Sequence, residues 1–149
     1  MTRLIDITTQ GSIAVLTMNT AENRHNPEFL SEFNQHLDQI EADQSIKSII
    51  LTSASEKNWS LGIDLAWMSQ PTNTPEIISG FMTDLAGLLK RLVTFPMPII
   101  AALNGHTYGN GSVLACACDF RFMKSDKGFF CFPEVDVLVP FVPSMFPLI

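Results

Sequence analysis

A chain of 149 residues is about one domain, and 46% hydrophobic with 16% charged residues is the make-up of a globular protein. Nine basic residues against fifteen acidic ones leave a net charge of −6. That balance excludes a basic stripe for nucleic acid and electrostatic docking on anionic lipid, but not a local basic pocket for a phosphorylated ligand.

The opening residues, MTRLIDITTQGS, alternate apolar and polar side chains and lack an apolar core of signal-peptide length. No uninterrupted apolar run reaches ~18 residues, so no membrane span or membrane partner is expected, and a cytoplasmic location fits. Leu4-Ile5-Asp6-Ile7 and Ile13 to Met18 read as hairpin strands joined around Gly11. Asn26-Pro27-Glu28 then combines an N-cap, a proline at the first helical position and an acid facing the helix dipole. Phe29, Phe33, Leu37 and Ile40 give that helix one apolar face, with His36 read as lying opposite it, in solvent. Lys47 to Thr52 is a short strand, and a second strand–turn–helix unit begins at Asn58-Trp59-Ser60.

Thr74-Pro75-Glu76 repeats the cap signature, and Ile77, Ile78, Phe81, Leu85, Leu88, Leu89 and Leu92 form the face of a helix ending by Pro96. Pro98 to Leu103 is a nearly all-apolar strand, as expected where both sheet faces are covered. A Gly-rich stretch, a short helix and a strand over Asp119 to Met123 follow. Alternating β and α elements of this kind predict an α/β fold with a largely parallel sheet, one core domain over residues 1–149. The chain stops at Leu148-Ile149 inside an apolar, proline-containing stretch, which suggests a truncated C-terminus. Cys116, Cys118 and Cys131 cannot all pair. C-x-C without histidine at ligand spacing is a poor metal site, so no metal is expected and the thiols read as small buried hydrophobes.

Three segments carry candidate chemistry. Trp59-Ser60-Leu61-Gly62-Ile63-Asp64-Leu65 takes a strand end through Ser and Gly into a helix start. Its N–H groups near Leu61 and Gly62 suit an oxyanion, or Asp64 simply caps the turn. Asn104-Gly105-His106-Thr107-Tyr108-Gly109-Asn110-Gly111 also follows a buried strand and opens a helix, at the sheet edge where ligands sit in open α/β folds. It lacks G-K-[ST] and the G-x-G-x-x-G spacing, which demotes phosphate cradling. In Gly128 to Asp136, Glu134 stands among apolar neighbours and suits a general base, or is a solvated cap. Asp136 reads as a helix-start carboxylate with an unsettled role. No G-x-S-x-G elbow supports a nucleophile.

Together these segments resemble the crotonase superfamily, the enoyl-CoA hydratase and isomerase fold. There S-x-G-x-D-[LI] and N-G-x-x-x-G-x-G each donate one backbone N–H to a thioester oxygen; here they read WSLGIDL and LNGHTYGNG. The resemblance implies a ββα superhelix (spiral) whose C-terminal helical part is missing here. By position it implies donors at Leu61 and Asn110, and CoA contacts from Arg24, His25, Asp64 and Leu65. Hydratases of the family carry two glutamates. The first position falls at Val113, which handles no proton, and the second at Glu134. That pattern looks closest to Δ3,Δ2-enoyl-CoA isomerases, with coenzyme A as part of the substrate rather than a cofactor. A homotrimer or dimer of trimers is implied if the C-terminal part is present. Alternatives are a hydratase or other enolate-forming member, and a non-catalytic acyl-CoA binder.

Overall fold

In the computed structural model, which describes residues 3–137, 141 and 143–149, strands β1 (Ile5–Gln10) and β2 (Ile13–Met18) form the expected hairpin. Helix α1 (Pro27–Ala42) follows, then β3 (Ser48–Ser53), β4 (Asn58–Ser60), the single turn α2 (Leu65–Met68) and the long helix α3 (Pro75–Val93). Next come β5 (Ile99–Leu103), β6 (His106–Tyr108), α4 (Asn110–Cys116), β7 (Phe120–Met123), β8 (Phe130–Cys131) and the one-turn α5 (Glu134–Val137).

From β3 onward the chain repeats one unit: a strand, a second short strand, then helix. The first strands of successive units align parallel beside the hairpin in a five-stranded sheet, β1-β2-β3-β5-β7, in which β1 alone is antiparallel. The second strands stack in a separate parallel sheet, β4-β6-β8. This spiral of ββα units is the fold that the resemblance implied, and every described strand pair except β1–β2 is parallel, as the alternation of elements predicts.

Both major helices start as their sequence dictates. The Asn26 side chain accepts from Phe29 N–H at 3.0 Å with Pro27 in the first turn, and Thr74 caps α3 at Ile77 N–H. Their apolar faces cover the main sheet: Phe29, Phe33, Leu37 and Ile40 from α1, and Phe81, Leu85, Leu88 and Leu92 from α3, are all buried beside Leu16, Ile49 and Leu51. Arg91 on α3 ties to α1 through Asp38 at 2.7 Å and Glu41 at 3.0 Å.

His36 is a correction. It is buried, and its Nε2 donates to the Ile5 carbonyl at 2.9 Å, while Glu32 accepts from the Leu4 and Ile5 N–H groups. Three residues from Phe33 and seven from Phe29, it stands on the apolar stripe itself. Both side chains fasten α1 to the start of the edge strand. No described helix is long and apolar enough to cross a membrane.

Candidate active site

The first Gly-containing loop leaves β4 and lies against residues 22–25. The Leu61 N–H donates to the Glu22 carbonyl at 2.9 Å, so it is not free to hold a ligand, which corrects the expectation for that residue. The Gly62 N–H turns back onto Ser60 Oγ at 3.2 Å. His25 and Ile63 then form a parallel bridge: His25 N–H donates to Gly62 O at 2.8 Å and Asp64 N–H to His25 O at 2.9 Å. In such a bridge the residue between two bonded neighbours points its own amide the other way. The Ile63 N–H accordingly has no partner among the described residues.

The second loop ends at Gly109, whose N–H donates to Cys131 O at 3.0 Å and whose φ of 55° suits glycine. Asn110 opens α4 and is 5% exposed; its N–H is one of the orphan donors of a helix start and has no partner among the described residues. The two loops touch. A Cβ at Gly62, whose φ is 78°, would lie 2.7 Å from the Asn110 nitrogen and 2.9 Å from the Tyr108 carbonyl oxygen.

Glu134 completes the constellation. The Cys131 carbonyl also accepts from Ser112 Oγ at 2.8 Å, so β8 is pinned to the start of α4. Three residues on, α5 carries Glu134 over Gly109: a Cβ there would be 3.4 Å from Glu134 Oε1, an ordinary contact. Glu134 Oε2 is buried without a hydrogen-bond partner among the described residues, whereas Asp136 is exposed. A carboxylate oxygen sealed from solvent and left unpaired is costly unless a ligand completes it. Val113, one turn into α4, is fully buried and apolar.

The residues expected to hold CoA are less uniform. His25 is a correction: its ring is fully buried, stacked on Phe29 with centroids 4.7 Å apart, and both its backbone groups are engaged in the bridge. Burial, with the Arg24 charge beside it, lowers its pKa to about 3, so it is neutral and offers a phosphate nothing. Arg24 binds within its own neighbourhood, donating to Leu61 O at 3.0 Å and pairing with Glu22 at 3.0 Å. Asp64 caps α2, accepting from Trp67 N–H at 2.9 Å, as the simple reading of that motif had it. Leu65 is 64% exposed immediately after the loop. Trp67 packs on Phe81 at 5.0 Å, with Met82 partly buried alongside.

Residues 8–145 match the model of the enoyl-CoA hydratase/isomerase family. The chain belongs to that family, within the crotonase superfamily. It is 32% identical over 132 residues to the peroxisomal enoyl-CoA delta isomerase 2 of Arabidopsis thaliana, a match covering 86% of this chain and 55% of the relative. It is 35% identical over 124 residues to the short-chain-enoyl-CoA hydratase of Clostridium acetobutylicum, covering 80% and 46%. Among solved structures, an enoyl-CoA hydratase/carnitine racemase from Magnetospirillum magneticum superposes with a TM-score of 0.89 at 26% identity, over 99% of this chain and 56% of the other. This crotonase chain spans about half the length of the curated relatives it matches. Its ββα spiral is the fold shared with that solved structure.

Proposed function

We propose that this chain carries the site of a Δ3,Δ2-enoyl-CoA isomerase, in which Glu134 is the single base and the N–H groups of Ile63 and Asn110 form the oxyanion hole. The observation that carries this reading is one buried, unpartnered carboxylate oxygen beside a loop pair holding two unpartnered amides, with apolar Val113 where a second acid would stand.

Glu134 takes a proton from C2 of a 3-enoyl thioester, and the electron pair spreads through the carbonyl and the adjacent double bond as a dienolate. Negative charge develops on the thioester oxygen. Two fixed N–H groups receive it there, each contributing roughly 3–4 kcal/mol to the transition state. The protonated Glu134 returns the proton to C4, and the double bond comes to rest between C2 and C3. Nothing is added or lost. Hydration of a 2-enoyl thioester needs a second group to position and activate water, and a valine supplies none. Trp67 and Met82, with Phe81 packed beneath the Trp67 ring, provide an apolar surface for the acyl chain.

Incubating the protein separately with a 3-enoyl-CoA and a 2-enoyl-CoA tests the assignment by chromatography and mass. Conversion of the first without mass change, and no addition of water to the second, is the expected result. Water addition as the faster reaction would instead establish the hydratase, the activity named for the relative from Clostridium acetobutylicum.

A further inference from the structure

Asn110 does more than supply an amide nitrogen. Its side-chain Nδ2 donates to His25 Nδ1 at 2.7 Å, and His25 Nε2 lies 3.0 Å from Ser60 Oγ. The chain continues from Ser60 Oγ to the Asn23 carbonyl at 2.8 Å. Every member is buried.

The protons in this chain are determined from one end. The Asn23 carbonyl can only accept, so the Ser60 hydroxyl hydrogen points at it. The Ser60 oxygen then accepts, from the Gly62 N–H and from His25 Nε2, which must carry the ring hydrogen. Nδ1 is left bare and accepts from the Asn110 amide. The imidazole is therefore neutral and held as one tautomer, and with its pKa near 3 it does not change charge at working pH. It is not an acid or base for the reaction.

What it does is mechanical. Ser60 ends β4 where the first loop begins, Asn110 opens α4 where the second loop ends, and His25 lies between them. Helix α4 begins without any side-chain capping bond, so its N-cap does not fix the pose of Asn110. Asn110 Oδ1 has no partner among the described residues, so Nδ2 to His25 is the one hydrogen bond described for this side chain. We propose that the His25–Asn110 hydrogen bond positions the second oxyanion donor against the first, making His25 a positioning residue for the thioester carbonyl. This rests on the oxyanion-hole reading above.

The decisive readout is the infrared carbonyl stretch of a bound saturated acyl-CoA, isotopically labelled at the carbonyl carbon. In the unmodified protein the hole lowers that frequency relative to water. His25→Phe keeps a ring over Phe29 and removes both hydrogen bonds; Asn110→Ala removes the amide and leaves the backbone N–H and the His25 ring in place. Each is expected to return the frequency part-way to its value in water and to lower kcat about 10- to 100-fold with KM within about two-fold. The double variant is expected to lose no more than either single one, because both break the same link. An unchanged frequency in both variants, or losses that add, would overturn the proposal. Should His25→Phe not fold, Asn110→Ala decides alone. No shift in the unmodified protein would overturn the oxyanion-hole reading itself, and this proposal with it.

Discussion

At the scale of single residues, Leu61 and Ile63 differ in a way that no motif spells out. Both flank Gly62, and both are apolar, so the letters alone do not say whose amide is free. The choice is made by tertiary partners: Glu22 O captures Leu61, and the bridge to His25 turns Ile63 away. His25 was hidden for the same reason, since its neighbours Phe29, Ser60 and Asn110 are brought together only by the fold. Glu134 and Asn110 were singled out by their positions in the resemblance, and the fold does bring them to either side of Gly109. Gly62 is a tightly constrained position of the site. A side chain at Gly62→Ala would face both a positive φ and backbone atoms within 3 Å, with no flexible end to move aside. Urea denaturation should show a loss on the order of 1–3 kcal/mol or more from strain, and isomerase activity should fall further than stability accounts for.

At the scale of elements, α1 and α3 could be read in advance because each opens with cap, proline and acid and then keeps a helical apolar period. Replacing Asn26 with Ala removes the bond to Phe29 N–H and should cost about 1 kcal/mol, read from the denaturation midpoint. A cost near zero would show that Pro27 alone sets the helix start. Of the small sheet, only the strand at Asn58–Ser60 could be read. Runs of two or three residues, such as Phe130–Cys131 and His106–Tyr108, carry no periodicity, and their pairing comes from the spiral. Yet this sheet positions the candidate site. Strand β4 ends at the first loop, β6 at the second and β8 just before Glu134, so three parallel strands deliver the whole constellation to one edge.

For the whole molecule, buried polar chemistry sets the response to pH and to thiol reagents. His25 has a pKa of about 3 in the folded protein and 6.5 as its reference value. Between those pH values the unfolded chain binds a proton that the folded one refuses. The stability contributed by neutral His25 is therefore complete above about pH 6.5 and is lost as pH falls toward 3. The limit is a few kcal/mol. Denaturation midpoints between pH 7.5 and 4 should fall for the unmodified protein and fall less for His25→Phe; parallel curves would contradict this. Burial pushes the Cys118 thiol up to about 12, so it should resist alkylation until the protein unfolds. Rapid labelling of Cys118 under native conditions would show that the turn after α4 opens readily.

The central claim is that one carboxylate moves the proton, and Glu134→Gln tests it most directly. The amide preserves size and shape but cannot take a proton. Conversion of 3-enoyl-CoA to 2-enoyl-CoA should fall about 100- to 10,000-fold, the contribution of a general base. Acyl-CoA affinity, measured by calorimetry on the same protein, should stay within a few-fold. Conversion at the unmodified rate with normal affinity would contradict the account.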